Sequence, residues 1–468
     1  MQPLKAWIWI FISLFAIFEG YTQPVITAFS KDDGLTSQTI TVTLADSRGV
    51  VWAGGTYGLN AYAGNQWYPL RSIEQQKSVM PQVIGEVYLI HEDRKQNIWV
   101  AAEEGLFLYN REYWTYYEAE EDEQYRISDF YEDRKGNLWV TYEFYQDLER
   151  DLGFSLISGK LQCLIDNRWY TFDTEVAGTV ALKSYSPQEY FTDILEDRNG
   201  NLWFSTLEGV YVFNGVTWDS YKEDVLEAKE IYDLIEDVNG DIWAATENGV
   251  LVYKSAKWLH YKKRDGLADD VIYKLTEDDM HRVWAFPKGG IRSSGISVYK
   301  NGEWYTYNHR DYHVKGKIED IYPFGDTVVA FSGNGIASFF ENKWHPYRMN
   351  SGLTDRSYTQ ALYDRGDKLW IGGDHGLFRF RDGKWSEVIE REDKWTVSIL
   401  FADRSGKLWI GTEDRGVFLY EAGNIKHYDE TSGLSEGEVR EIFEDLNGNT
   451  WVITKKGITK FDWSLAKH

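Results

Sequence analysis

The chain reads as an all-β protein, a β-propeller of about ten four-stranded blades. Three observations predict this: a tryptophan-marked string that returns roughly every forty residues, alternation of apolar and polar residues within each copy, and two chain ends that look like parts of one copy.

The string is Asp-x-x-Gly-x-aliphatic-Trp, followed by small residues and a Gly-aliphatic pair. It is plainest in Asp237-Val238-Asn239-Gly240-Asp241-Ile242-Trp243-Ala244-Ala245-Thr246, with Gly249-Val250 after it. The marker tryptophans are Trp52, Trp99, Trp139, Trp203, Trp243, Trp284, Trp370, Trp409 and Trp451, most of them 39 to 47 residues apart. Two gaps are longer. Between Trp284 and Trp370 a degenerate copy fits around residues 319–344, with Val329 in the tryptophan place. Between Trp139 and Trp203 the excess is an insertion, Tyr142 to Lys160.

Each copy holds four strands. An alternating segment such as Ile231-Tyr232-Asp233-Leu234-Ile235-Glu236 comes first. The Asp-x-x-Gly turn then reverses the chain, since Asp bonds nearby backbone N–H groups and Gly accepts positive φ. The tryptophan strand follows, then a Gly-aliphatic strand, then a fourth with its own tryptophan. That second indole recurs as Trp67, Trp114, Trp169, Trp218, Trp258, Trp304, Trp344 and Trp385. Helical repeats of similar period are excluded by short segments rich in aromatic and β-branched residues and broken by glycine. One such sheet cannot cover both its faces, so neighbours must stack, and the indoles are the natural filler between them.

After residue 24 the first piece, Ile26-Thr27-Ala28-Phe29 with Asp33-Gly34-Leu35, looks like the end of a repeat, as in Ile425-Lys426-His427-Tyr428 with Ser432-Gly433-Leu434. The last repeat stops after its third strand, near Ile458 to Phe461. The N-terminal strand is therefore expected to complete the last blade and close one ring.

Composition agrees. Of the 468 residues 16% are Phe, Trp or Tyr and only 8 are Pro, which suits half-buried strands. The formal charge of −24 gives no electrostatic footprint for nucleic acid. Residues 1–24 read as an export signal, with Lys5 in a polar head and a nearly unbroken apolar run from Ala6 to Phe18. An uncleaved anchor is the alternative, although the run is short for a membrane span. A periplasmic or secreted location follows for residues 25–468, with no further membrane span. The single cysteine, Cys163, allows no intrachain disulfide.

Several copies resemble the two-component regulator propeller repeat, whose pattern runs Asp-x-x-Gly-Asn-Leu-Trp, Gly-Thr, Gly-Leu. Matching strings are Asp133-Arg134-Lys135-Gly136-Asn137-Leu138-Trp139, Asp197-Arg198-Asn199-Gly200-Asn201-Leu202-Trp203, and Leu408-Trp409-Ile410-Gly411-Thr412 with Gly416-Val417. The resemblance implies a periplasmic sensor propeller of a hybrid two-component system, a family that often recognises carbohydrate fragments. The sequence closes on His468 straight after the last repeat, with no kinase or DNA-binding segment. The expectation is accordingly a recognition module or scaffold rather than a signalling output.

Ligands meet loops on a rigid scaffold, so the turns between second and third strands and the blade-to-blade crossings are the face to inspect. Those turns carry Glu103-Glu104, Glu208, Glu247-Asn248, Asp374-His375, Glu413-Asp414-Arg415 and Lys455-Lys456. The crossings add Lys31-Asp32-Asp33, Glu118 to Glu123 and Arg264-Asp265, and the insertion offers Phe144, Tyr145, Arg150 and Phe154. Expected ligand contacts are Glu103, Glu104, Glu247, Asp374, His375, Glu413, Arg415 and Lys455, taking an oligosaccharide or a peptide, with an envelope protein as a further partner. Ordinary polar turns are the competing account of the same residues.

No cofactor or metal is expected. Asp197-x-Asn199-Gly200-Asn201 and its copies place glycine too early for a hand-type calcium loop. No Gly-x-Ser-x-Gly is present, and His309 and His313 lack the helical His-Glu-x-x-His setting. A non-catalytic binder is therefore the leading expectation, and a propeller-fold polysaccharide hydrolase or lyase is the alternative.

Overall fold

A computed structural model of the chain describes residues 23–70, 84–118, 125–147, 154–165, 168–172, 191–206, 209–228, 230–287, 295–307, 318–324, 327–332, 335–340, 343–347, 358–364, 368–373, 376–381, 384–388 and 395–467. The export signal lies outside them. Among the described residues no helix is long and apolar enough to cross a membrane.

Among the described residues there are ten four-stranded antiparallel sheets, nine built from consecutive strands. In chain order the blades span 40–69, 87–118, 125–172, 191–222, 231–261, 272–307, 318–347, 358–387 and 397–428, and the tenth is 439–467 plus 23–29. In the tenth, the N-terminal strand Gln23–Phe29 lies beside Gly457–Lys467, with Ile26 opposite Phe461 and Phe29 opposite Ile458. Closure by the first strand is thus as the chain ends predict.

Ten apolar clusters fill the blade interfaces, one between every consecutive pair, including the pair formed by the tenth and first blades. This makes one ring of ten. The indoles are its joints: the second-strand tryptophan of one blade packs edge-on against the fourth-strand tryptophan of the next. Trp52–Trp114, Trp243–Trp304 and Trp451–Trp67 repeat that arrangement at 6.1, 6.0 and 5.9 Å. Seven of the marker indoles are less than 2% exposed or nearly so, among them Trp284, Trp409 and Trp451. The small residues after each tryptophan make room for the next blade: a Cβ on Gly54 would sit 2.5 Å from Val87, and one on Gly411 2.6 Å from Val439. Val329 takes the tryptophan place in the seventh blade and joins the cluster it shares with the eighth.

The acidic turn does more than reverse the chain. Asp237 Oδ1 accepts the N–H groups of Asn239 and Asp241, while its Oδ2 accepts the indole N–H of Trp243 at 3.0 Å. Gly240 supplies the positive φ, at 84°. The residue after the Asp reaches forward. Arg198 donates its backbone N–H to Glu236 and its guanidinium to the Asp237 carbonyl of the next blade, and Arg94, Arg134 and Arg404 do likewise. At the closing seam Leu446 and Ala45 stand where Arg and Glu would be. The following interface uses a different cation: Arg111, at φ 75°, pairs with Asp46 at 2.5 Å and with Glu92 at 2.6 Å.

The insertion in the third blade prolongs its second and third strands. They run Leu138–Asp147 and Phe154–Ile165 and stay paired out to Asp147 opposite Phe154, with Phe144 and Tyr145 inside the ladder. Arg150 lies outside the described residues.

Candidate functional site

One feature of every first strand positions the residues at the channel mouth. Each of the ten carries a register shift, one residue in for nine of them, as between Ile231 and Asp233 or Val439 and Glu441, and three residues in for the third blade, between Ile127 and Asp129. Such a bulge leaves one residue unpaired and re-aims its side chain. The apolar spacing records it: Ile231 and Leu234 are buried, three apart, where an unbroken strand would bury every second residue. That spacing was legible in the sequence and is the signal that strict alternation obscures.

The bulge residues differ from blade to blade. Thr41 bonds the carbonyl of Val87 in the next blade, and Ser398 bonds that of Val439 at 2.7 Å. Tyr88 donates to the Ala102 carbonyl at 3.0 Å. Tyr232 donates to Glu230 Oε2 at 2.5 Å, and burial, then that carboxylate, pushes its hydroxyl pKa up. Arg440 is exposed and bonds Glu438 Oε1 at 3.2 Å.

Above the bulge, a repeated backbone bond ties the turn between second and third strands to the crossing that enters the same blade. Glu103 donates its N–H to the Glu86 carbonyl at 2.9 Å, Glu247 to Glu230 at 3.3 Å, Glu413 to Thr396 at 3.1 Å and Lys455 to Glu438 at 3.2 Å. Turns and crossings therefore share one face, as expected. Four of the residues singled out in the sequence occupy equivalent places on it.

Their side chains are not equally available. Glu247 Oε2 accepts the Glu230 N–H at 2.9 Å, and Glu103 Oε2 accepts that of Glu86 at 3.4 Å. A Cβ on Gly85, which has φ 64°, would lie 2.5 Å from that Glu103 oxygen. Lys455 Nζ meets Glu438 Oε2 at 3.1 Å, and Lys455 together with Arg440 holds the Glu438 carboxyl below the usual range. Glu104 and Glu413 are exposed. Arg415 is half-buried; its N–H goes to Thr412 Oγ1 and its carbonyl lies 2.6 Å from His427 Nε2. Asp374, His375 and Glu208 lie outside the described residues, as does most of 118–123. The six expected contacts among the described residues fall on the second, fifth, ninth and tenth blades, so they do not converge on one pocket. Among the described ones, Glu413, Arg415 and Lys455 come from adjacent blades, the ninth and the tenth.

Two carboxylates that the sequence reading passed over lie just below the mouth. Asp193 Oδ2 accepts the Leu234 N–H at 3.1 Å, and Asp233 Oδ2 accepts that of Leu275 at 2.6 Å. Burial raises both; Asp233 is pushed up to about 6. Cys163 is buried and its thiol pKa is pushed up by burial. Among the described residues no group of three or more His, Cys, Asp or Glu is placed to hold a metal ion. The arrangement supplies a ring of hydrogen-bond donors, acceptors and charges, suited to holding a polar molecule at several points.

Residues 185–208 match the family described as two component regulator propeller. The chain is a propeller domain resembling two-component sensor propellers, at low identity. Among solved structures it is similar to the extracellular domain of a protein described as the hybrid two component system BT3049 from B. thetaiotaomicron, 21% identical, covering 93% of this chain and 65% of that one at a TM-score of 0.27. It is also similar to PorZ of the type-IX secretion system of Porphyromonas gingivalis, 13% identical, covering 92% and 74% at 0.31. A streptogramin B lyase structure is 16% identical, covering 58% and 93% at 0.32. The chain thus spans 65% of the length of the first of these. With a two component system and a lyase alike among them, these likenesses favour neither activity. The comparison with curated proteins found no match.

Proposed function

We propose that this propeller is a non-catalytic, extracytoplasmic recognition protein whose channel mouth, on the crossing face, binds an oligosaccharide or peptide. One observation carries the reading. The scaffold of the mouth is constant, bulge and backbone bond recurring from blade to blade, whereas the residues placed on it change. They are Glu86, Tyr88 and Glu103 in the second blade, Glu230, Tyr232 and Glu247 in the fifth, Thr396, Ser398 and Glu413 in the ninth, and Glu438, Arg440 and Lys455 in the tenth. Positions that serve stability keep one residue type, as the Asp of the acidic turn and its tryptophan do in every blade but the seventh. Changing residues on a fixed frame suit recognition. Location outside the cytoplasm rests on the apolar N-terminal run.

The test is a screen of the signal-free chain against oligosaccharides and short peptides, with breakdown products monitored in parallel. Arg440→Gln and Glu413→Gln are compared with the parent. A loss of about tenfold or more in affinity, with an unchanged thermal midpoint, supports the mouth as the binding surface. Product formation abolished by one mouth carboxylate would replace this reading with a polysaccharide hydrolase or lyase.

A further inference from the structure

The position directly after each bulge lies where one blade's innermost strand meets the next. In the first, second and ninth blades it holds Val42, Leu89 and Ile399, which pack into the apolar cluster shared with the following blade. In the fourth and fifth blades the same position holds Asp193 and Asp233, both half-buried. Each spends one oxygen on a backbone N–H of the next blade's innermost strand, Leu234 and Leu275 respectively. Carboxylates half-buried at such a junction destabilise the ring while they are charged, unless a cation compensates them. The charged groups acting on Asp233 are Asp193, from the preceding blade, and Lys274, from the following one, and the repulsion outweighs the attraction.

We propose that Asp193 and Asp233 form a proton-responsive seam in the channel wall, which tightens the junctions of the fourth, fifth and sixth blades when it takes up a proton. Each carboxylate accepts one proton from solvent and becomes a neutral carboxyl. The carbonyl oxygen of that carboxyl still receives the Leu234 or Leu275 N–H, while the mutual repulsion and the burial of charge are relieved. The folded-state value for Asp233, about 6, lies above the ordinary 3.8. The folded ring therefore binds protons more readily than the unfolded chain, and stability rises as pH falls between those two values. Tyr232 at the mouth is the residue before Asp233, so the seam adjoins the recognition surface.

The experiment compares the full signal-free chain with an Asp193→Asn, Asp233→Asn double variant, following thermal midpoints between about pH 7.5 and pH 4.5 across the titration window. The parent is expected to gain several degrees more than the variant on acidification. Amide exchange in residues 272–277, corrected for intrinsic pH dependence, is expected to slow in the parent alone. Superimposable midpoint profiles would overturn the proposal. If the variant does not fold, exchange in the parent decides, and protection of 272–277 that does not rise toward low pH sinks the idea.

Discussion

Trp409 packs edge-on against Trp463 at 6.2 Å, and the second indole comes from an unexpected strand. In the other described interfaces that place is filled from the fourth strand of the next blade, except between the eighth and ninth, where the fourth strand Asn424–Tyr428 has no tryptophan. The tenth blade's fourth strand is the N-terminal one, Gln23–Phe29, which carries no tryptophan. The third strand, Gly457–Lys467, runs long instead and delivers Trp463 to the vacant place. Lys407 Nζ lies 3.5 Å above the Trp463 ring, adding a cation–π contact. Ring closure thus couples two substitutions, a strand borrowed from one chain end and an indole borrowed from the other.

That coupling makes the N-terminal strand indispensable. Phe29 stacks on Trp451 at 6.1 Å and sits against Tyr62 of the first blade, so its loss opens the cluster between tenth and first blades. Trimming residues 25–36 is expected to abolish the cooperative thermal transition and to produce aggregates on size-exclusion chromatography. A peptide spanning the removed residues should restore part of the transition. A trimmed chain that melts like its parent would contradict a closed ring.

The Asp–Trp bond of each blade can be weighed by mutation. Asp237→Ala strands the buried Trp243 indole N–H and two backbone N–H groups. Each orphaned donor is costly, so a loss of about 3 kcal/mol is expected from chemical denaturation. Trp243→Phe keeps the ring but leaves Asp237 Oδ2 without its donor, and it should destabilise as well.

Arg111 offers a test with a pH signature. Burial alone would raise the Asp46 carboxyl, yet the donors Arg111, Trp52 and Val50 hold it below the usual carboxylate range. A depressed value contributes stability above the ordinary 3.8, lost as pH falls through the folded value. With the Arg111 side chain 8% exposed and that of Asp46 at 0%, Arg111→Ala leaves a buried charge unpaired and should cost about 3 kcal/mol at neutral pH. The gap between variant and parent should narrow below about pH 4 as Asp46 takes up its proton. An equal gap at every pH would show that packing of the Arg111 side chain, not its charge, matters.

What the sequence by itself determined is the blade and its joints. The Asp-x-x-Gly turn, the indole six residues after its Asp and the Gly that admits the next blade's valine all act within one repeat, so a string of seven to ten residues specifies them. The chain ends likewise carried their complementarity openly, Ile26 to Phe29 matching the missing strand of the tenth blade. The tertiary structure decided the rest, because it depends on partners about twenty to forty residues away that only the folding and stacking of blades bring into reach. Arg198 is a solvated turn residue until Glu236 and the Asp237 carbonyl arrive from the next blade. Glu103 and Glu247 look free to meet a ligand until their oxygens are seen to hold the backbone of Glu86 and Glu230. Asp233 reads as the polar half of an alternating strand until the bulge at Tyr232 turns it toward the Leu275 N–H of the next blade. Acidic side chains have the same letters in turns, latches and seams, and what separates those roles is which N–H each one meets.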